Sequence, residues 1–282
     1  SVTFYAECAD EDKYLYVDTW SIEYADMSMP EPVKMVVFEG KLYTAYGTYL
    51  VRKDNDGVGV IKEFDQDITD LCVFQNPSAT DGDNPTYRRL FIAQGLDNHY
   101  WYTDDGWTFY ESAASTNAKY MSNIGDSQFW ISDATNTITS SDSPINDEEA
   151  DPTSVASAFA TSTKVGGDYF EITSLVDHPD TVFVRKQDQA YYLSGSEVLP
   201  VAEGLEIEAN TDIDYPLHFW QNKLYIPAGT NALYEYDIGR GDILPISPVK
   251  FAIGDTKYDG ACGRGITSDN EYLYITVETG TR

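Results

Sequence analysis

The chain has 282 residues, of which 47 are acidic and 18 are basic, and its formal net charge is −29. This balance argues against nucleic-acid binding, which needs clustered Lys and Arg to neutralise phosphates, and against attraction to an anionic membrane surface. The apolar fraction of 42% is too high for a disordered acidic tail, so a folded protein is expected.

In chain order, the first predicted elements are two short strands, Tyr14–Val17 and Ser21–Tyr24. A stronger feature follows them, because a short apolar and aromatic strand recurs six times. These anchor strands begin at Leu42, Leu90, Phe129, Val182, Leu224 and Leu273. Their spacing of about 40–50 residues is typical of propeller blades built from four strands. The aromatic content of 14% also favours β-structure.

Repeated residues around the anchors indicate the other strands of each blade. Seven residues before four of the anchors stands an apolar residue that fits a preceding strand: Met35, Leu175, Leu217 and Ile266. Ten residues after three of them stands a tyrosine that fits a third strand: Tyr100, Tyr192 and Tyr234. The segment Val198–Ala202 has the weaker apolar pattern of a fourth strand. Four antiparallel strands joined by short turns make one propeller blade.

We therefore predict a single all-β domain over residues 1–282, folded as a β-propeller. Six blades are favoured, the last running from about Gly260 to Arg282 and completed by the N-terminal strands. Such a shared blade would close the ring and remove its free sheet edges. Seven blades result if the N-terminal strands form their own blade, and a β-sandwich or two small β-domains is the alternative.

Two segments interrupt the repeat, at 76–87 and at 140–168. The longer one carries acidic residues that we predict to contact a partner: Asp147, Glu148, Glu149 and Asp151. In repeat folds, insertions map to loops on one face, which is often the binding face. Because buried carboxylates need cationic partners, we expect this segment to lie on the surface and to serve assembly rather than blade stability.

The segment Tyr102–Phe109 resembles the Asp-box, a turn motif of propellers with the pattern S-x-D-x-G-x-T-W. The matching residues are Asp104, Gly106, Thr108 and Phe109. In such a turn, the Asp carboxylate caps backbone N–H groups and the Gly takes a positive φ. We therefore predict a structural turn between strands three and four of a blade, with Asp104 as its capping residue.

Asp-boxes also occur in sialidases and other sugar enzymes, so a glycosidase-like enzyme or a sugar-binding propeller is the alternative function. Sialidases hold a substrate carboxylate with three arginines, and none of the seven arginines here stands in a matching context. With 47 acidic residues, a pair of carboxylates is not informative. His218 lies in an aromatic strand and is predicted to be packed or to line a tunnel. We therefore assign no catalytic residue and predict a non-enzymatic protein.

Cysteine and metal patterns are weak in this sequence. Cys8, Cys72 and Cys262 show neither zinc nor disulfide spacing and are predicted to be small buried residues. Asp54–Gly57 and Asp81–Asn84 carry oxygen ligands that calcium favours, but neither has EF-hand spacing and Asp-Gly is an ordinary hairpin signal. We predict no cofactor and no metal site, with a surface calcium ion as the alternative.

The repeat segments also carry a family resemblance, in Thr139–Pro144, Val165–Asp168, Ile172–Leu175, Val182–Leu193, Trp220–Gly229 and Leu233–Tyr236. They resemble the propeller repeats in virion proteins of tailed bacterial and archaeal viruses. The resemblance implies a tail or surface component of the virion, homo-oligomeric within the particle, that contacts other virion proteins and a host glycan or protein. It implies no active site. The acidic composition also fits a high-salt or marine environment, where salt screens the repulsion.

Overall fold

A computed structural model describes residues 32–55, 57–75, 88–112, 117–141, 144, 159, 162–203, 205, 207, 216–228, 233–246, 250–253, 256–259 and 266–275. Within these residues all regular secondary structure is β-strand, which confirms the predicted all-β class. None of them forms a helix of the length and apolar character that a membrane span requires.

The described strands form five four-stranded antiparallel sheets and two hairpins. The first sheet contains β1 (Pro32–Phe38), β2 (Lys41–Tyr46), β3 (Tyr49–Asp54) and β4 (Gly57–Glu63), and the second contains β5 (Asp70–Phe74), β6 (Arg89–Ala93), β7 (Trp101–Thr103) and β8 (Tyr110–Glu111). The third contains β9 (Met121–Ile124), β10 (Gln128–Ala134), β11 (Thr137–Ser141) and β12 (Thr163–Lys164). The fourth contains β13 (Ile172–Asp177), β14 (Val182–Lys186), β15 (Ala190–Ser194) and β16 (Glu197–Pro200). The fifth contains β17 (His218–Trp220), β18 (Lys223–Pro227), β19 (Leu233–Asp237) and β20 (Asp242–Pro245), and the hairpins are β21 (Lys250–Ile253) with β22 (Thr256–Asp259) and β23 (Ile266–Ser268) with β24 (Leu273–Ile275).

The repeat predicted from the sequence is confirmed at the level of strand order. All six anchors lie in the second strand of a sheet or of the last hairpin. Met35, Leu175 and Ile266 lie in first strands, and Tyr192 and Tyr234 lie in third strands. The anchors could be read from the sequence because the second strands are buried on both faces, which leaves short continuous apolar runs.

Successive sheets are packed side by side, as the blades of a propeller are. The first strands form a continuous series of neighbours, in which β1 contacts β5, β5 contacts β9, β9 contacts β13, β13 contacts β17 and β17 contacts β23. The fourth strands β8, β16 and β20 are largely exposed. First strands therefore lie on the inner side of this arrangement and fourth strands on its outer side.

Each neighbouring pair of sheets shares one buried apolar cluster. Phe38 and Leu50 of the first sheet pack against Leu90 of the second. Phe91 of the second sheet packs against Phe129 of the third, with ring centres 4.6 Å apart. Similar clusters join the third sheet to the fourth, the fourth to the fifth, and the fifth to the β23–β24 hairpin. The core is thus divided into layers between sheets, and each sheet depends on its neighbours to cover its faces.

The predicted boundaries of the long insertion were wrong. Ser140 and Ser141 belong to β11, and β12 is the fourth strand of the third sheet, paired with Thr137 and Ile138. The pattern was missed because β12 has only two residues, neither of them apolar. The four acidic residues predicted to contact a partner, the 76–87 insertion and the N-terminal strands lie outside the described residues.

Candidate functional site: polar side chains on the first strands

Polar or titratable side chains occur among the apolar residues of nearly every first strand. We call this set the first-strand cluster, and its members are Lys34, Asp70, Cys72, Asn123, Asp177 and His218. They come from β1, β5, β9, β13 and β17. Asp177 acts electrostatically on Lys34, Cys72 and His218, so its carboxylate is near side chains of three other first strands.

Asp70 joins three successive sheets through one buried carboxylate. The Lys34 ammonium of the first sheet lies 2.5 Å from its Oδ1, and the Leu71 N–H donates to the same oxygen at 2.8 Å. The Met121 N–H of the third sheet donates to Oδ2 at 2.8 Å. Only 3% of Asp70 is exposed, so these donors replace the hydration that the carboxylate loses on folding.

Burial also sets the titration of this ion pair. It raises the pKa of Asp70, although Lys34 and the two N–H groups act in the opposite direction. For Lys34, burial works to lower the pKa, but the attraction and hydrogen bond of Asp70, together with the effects of Cys72 and Asp177, outweigh burial and the pKa is raised. The pair is therefore a structural bridge, and its carboxylate is occupied by donors from its own fold.

Cys72 is buried, as predicted, and the side chains of Cys8 and Cys262 lie outside the described residues. The Asn123 amide nitrogen lies 3.7 Å from the Cys72 sulfur and donates to the Val73 carbonyl at 3.1 Å. Burial raises the pKa of the Cys72 thiol to about 12. The thiolate is the nucleophilic form, so Cys72 lacks the reactivity of a catalytic cysteine at neutral pH.

His218 connects the fifth sheet to the last hairpin. Its Nε2 lies 2.8 Å from the Ser268 hydroxyl oxygen. Burial lowers the pKa of His218, with Asp177 acting in the opposite direction. The imidazole is therefore neutral at pH 7. His178 follows β13 and packs edge-on against Phe183 and Phe219, and burial lowers its pKa as well.

The predicted Asp-box turn is present between β7 and β8, but its capping residue is Asp105 rather than Asp104. The Trp107 and Thr108 N–H groups each donate to Asp105 Oδ1 at 2.7 Å. These bonds outweigh the opposing effect of desolvation and lower the pKa of Asp105. Asp104 instead pairs with Arg89, whose Nε lies 2.7 Å from Oδ1.

The other predicted turn residues have distinct roles. Gly106 has a φ of 71°, as the motif requires. A side chain at this position would also overlap the hydroxyl of Tyr43 from the first sheet. Phe109 packs edge-on against Phe64 of the first sheet, with ring centres 6.0 Å apart. The turn thus anchors the second sheet against the first, which is a structural role.

Arginine and lysine side chains that the sequence left unassigned stabilise contacts between sheets. Arg185, buried in β14, donates to the Pro227 carbonyl of the fifth sheet at 3.2 Å. Lys186 is fully buried and donates to the carbonyls of Val165 and Gly167 beside β12. The sequence signal for Arg185 and Lys186 was that a charged residue follows an apolar run within a second strand, where burial requires a partner.

In Asp54–Gly57, the first of the two segments considered for calcium, the Asp54 carboxylate binds a cationic side chain. Asp54 pairs with Arg52, whose Nη2 lies 3.3 Å from the Asp54 carboxylate. Gly57 begins β4 directly after the turn, so the segment forms a β-hairpin connection. Among the described side chains, no group of three or more His, Cys, Asp or Glu is placed to hold a metal ion. The second segment lies outside the described residues.

Comparison with known proteins identifies the fold but no family. No family model matches the chain, and no curated protein gives a significant match. Among solved structures, the extracellular domain of a protein from B. thetaiotaomicron, described as a hybrid two component system, has a TM-score of 0.56 at 11% identity, over 92% of this chain and 33% of that one. The GH74 enzyme of Niastella koreensis has a TM-score of 0.55 at 12% identity, over 88% of this chain and 34% of that one. The computationally designed Ika8 protein has a TM-score of 0.53 at 11% identity, over 90% of this chain and 70% of that one.

This chain therefore spans about a third of the length of the two natural proteins. At such low identity the likeness concerns the fold alone, because one fold hosts many unrelated functions. The matched structures include an enzyme, an extracellular domain and a designed protein. Together with the five four-stranded sheets, they show that the chain has an all-β, propeller-type fold.

Proposed function

We propose that this protein is a non-catalytic, propeller-type virion component of a tailed virus, acting in particle assembly or host contact. The observation that carries the proposal is the use of the polar groups on the first strands. The Asp70 carboxylate bridges three sheets, and His218 joins the fifth sheet to the last hairpin. These groups stabilise a scaffold, which leaves recognition to the surface. The likeness of the repeat segments to virion propellers supports the viral setting.

We also propose that six blades close into a ring, with the N-terminal strands completing the last one. One face of the first sheet supports this idea. Val33, Met35 and Val37 of β1 and Val58 and Val60 of β4 are between 39% and 58% exposed. Strand register places all five on the face turned away from the second sheet. A neighbouring blade on that face would remove this apolar surface from water.

The virion role is tested by locating the protein in purified particles. We expect mass spectrometry to find the chain in gradient-purified virions of the virus that encodes it. We expect antibodies against it to label the tail or the particle surface in immuno-electron microscopy. Recovery of the protein only from infected-cell lysate, with unlabelled particles, would contradict the proposal. Antibodies against the major capsid protein provide the positive control for labelling.

A carbohydrate-active enzyme is the second candidate, favoured by one feature of the first-strand cluster. Glycosidases use two carboxylates, and the cluster contains Asp70 and the exposed Asp177. The Asp70 carboxylate is paired with Lys34 and accepts hydrogen bonds from two N–H groups. Its oxygens are therefore not available to act as a general acid or a nucleophile. We expect no turnover of aryl-glycosides or of a glycan panel. Turnover that is lost in Asp177→Asn but kept in the exposed control Asp67→Asn would establish the enzyme instead.

A further inference from the structure

The β7–β8 turn exposes the largest type of aromatic side chain. Trp107 is 63% exposed, although a Trp gains more than most residues from burial. From Trp101 to Glu111 the chain contains no aliphatic side chain, so Trp107 is not part of a wider apolar patch of this segment. A single exposed aromatic residue needs no explanation by itself. The contacts that hold this one in place do indicate a role.

Trp107 is fixed from below by a buried cation. The guanidinium carbon of Arg52 lies 3.6 Å from the centre of the indole ring, a stacked cation–π contact. Arg52 is only 5% exposed, and it donates to the Gly106 carbonyl and pairs with Asp54, each at 3.3 Å. The guanidinium is therefore held by Asp54 of the first sheet and by the Gly106 carbonyl of the turn, in addition to its contact with the indole.

The backbone of Trp107 is fixed as well. Its N–H donates to Asp105 Oδ1 at 2.7 Å, and the adjoining Gly106 has a left-handed φ of 71°. Ring and backbone are thus both ordered before any ligand arrives. A preorganised binding group loses little conformational entropy on association, which is what makes a weak stacking contact useful.

Two further charged groups of the first sheet lie near the contact between Trp107 and Arg52. The Lys41 ammonium lies 5.7 Å from the ring centre, and the Asp54 carboxylate stands beside Arg52. An exposed, rigid aromatic ring with an ammonium over it and a carboxylate beside its supporting guanidinium suits a ligand with an apolar C–H face and a rim of hydroxyls. That is the chemistry of a pyranose ring, whereas an apolar protein partner would need adjacent aliphatic surface.

We propose that Trp107, supported by Arg52 and flanked by Lys41 and Asp54, is a carbohydrate-binding site that stacks a sugar ring on the indole. This site would give the host contact proposed above a ligand class, namely carbohydrate. The inference rests on the proposed function only in assuming that the sugar is on the host surface. Binding of a free oligosaccharide tests the site, and incorporation into particles tests the role. Failure of either can therefore be told apart from failure of the other.

The experiment measures binding of cello-, chito- and malto-hexaose and of sialyllactose by isothermal titration calorimetry. We expect at least one of these probes to bind the wild type and Trp107→Ala to weaken its binding by about tenfold or more. Trp107→Phe keeps a ring and should retain most of the affinity. The melting temperature of each variant is measured alongside, because a side chain exposed to this degree should contribute little to folding.

Two exposed aromatic residues serve as matched controls. Tyr110 is 45% exposed and stacks on Tyr102, which places it on the face of the second sheet opposite to the Arg52 contact. Tyr169 is 96% exposed and lies beside the fourth sheet. Tyr110→Ala and Tyr169→Ala should leave the affinity unchanged. The proposal is overturned if none of the probes binds the wild type at millimolar concentration, or if Trp107→Ala binds as tightly as the wild type.

Discussion

Replacing Asp70 with alanine should destabilise the fold more than any exposed substitution, because one carboxylate joins three sheets. The change removes the acceptor for the Leu71 and Met121 N–H groups and the counter-ion of Lys34. Each buried N–H that is left without an acceptor costs about 1–3 kcal/mol. Breaking a buried ion pair from one side costs about 3–5 kcal/mol, but here that value is an upper limit because the Lys34 side chain is 34% exposed and can be hydrated.

The two N–H groups alone predict a loss of about 2–6 kcal/mol in the free energy of unfolding, and the broken ion pair adds to that loss. For a domain of this size, a loss of 4 kcal/mol would lower the melting temperature by roughly 8–16 °C. Urea unfolding followed by tryptophan fluorescence measures the loss. Asp70→Asn keeps one carbonyl acceptor and should lose less. The exposed Asp67→Ala, in the segment that precedes β5, is the matched control and should change stability by no more than about 0.5 kcal/mol.

A double-mutant cycle separates the ion pair from the N–H contacts. If Lys34 and Asp70 stabilise each other, Lys34→Met and Asp70→Ala together should cost less than the sum of the two single changes. An Asp70→Ala variant that unfolds within about 1 kcal/mol of the wild type would refute the reasoning, since even the two N–H groups alone should cost more. If the two single losses add up to the loss of the double variant, the ion pair does not contribute to stability, and only the N–H contacts of Asp70 do.

Three further predictions concern glycine, histidine and aromatic contacts. Gly106→Ala and Gly166→Ala should each lower the free energy of unfolding in urea by about 2–4 kcal/mol, because both glycines have a positive φ and an added methyl group would press against a tyrosine. Gly195 also has a positive φ but faces open space, so Gly195→Ala should cost only about 1–2 kcal/mol, and equal losses at all three positions would contradict the steric part of this prediction. Burial holds the pKa values of His178 and His218 below 6.5, so the unfolded chain binds protons more readily and stability should fall as the pH drops from about 7 to 5. His178→Gln with His218→Gln should flatten that decline, and an unchanged slope in thermal unfolding would count against it. Phe159→Ala should lower the free energy of unfolding by about 2 kcal/mol, because the Phe159 ring packs on Tyr100. A Gly-Ser replacement confined to residues 145–158 should change that free energy little. A lower melting temperature for the replacement than for Phe159→Ala would contradict this prediction.

The strand order could be predicted from the sequence because most of the longer strands carry a local signal of their own. Leu224–Ile226 is a continuous apolar and aromatic run and lies in β18, and Leu217, seven residues before it, directly precedes β17, the strand that pairs with β18. The two-residue strand β12 carried no such signal. Its pairing with β11 is set by residues more than twenty positions earlier, and its position is held by Lys186 from the next sheet.

The candidate site was harder to predict, because its contacts join distant segments. Lys34, Asp70 and Met121 are separated by dozens of residues, and only the packing of successive first strands brings them together. A charged residue inside an apolar strand was the available signal for Asp70. The capping residue of the turn was different, since Asp105-Gly-Trp-Thr satisfies the local rule that an Asp accepts from the second and third N–H after it. The motif alignment favoured Asp104, and hydrogen-bond geometry selects Asp105.

The two faces of the first sheet differ in chemistry, and this difference bears on the closing blade proposed above. Towards the second sheet, cations lie against acidic or aromatic groups: Lys34 against Asp70, Arg52 against Trp107, and Lys62 against Trp101. Such contacts are specific, since each needs its own partner in the right register. The opposite face presents five aliphatic side chains instead, and aliphatic contacts are tolerant of the partner's identity as long as it is apolar and well shaped. A blade assembled late, from two remote ends of the chain, can cover a tolerant face without matching a set of charges. If the ring closes as proposed, the two ends of the chain therefore need to supply only apolar side chains of suitable shape to the closing contact.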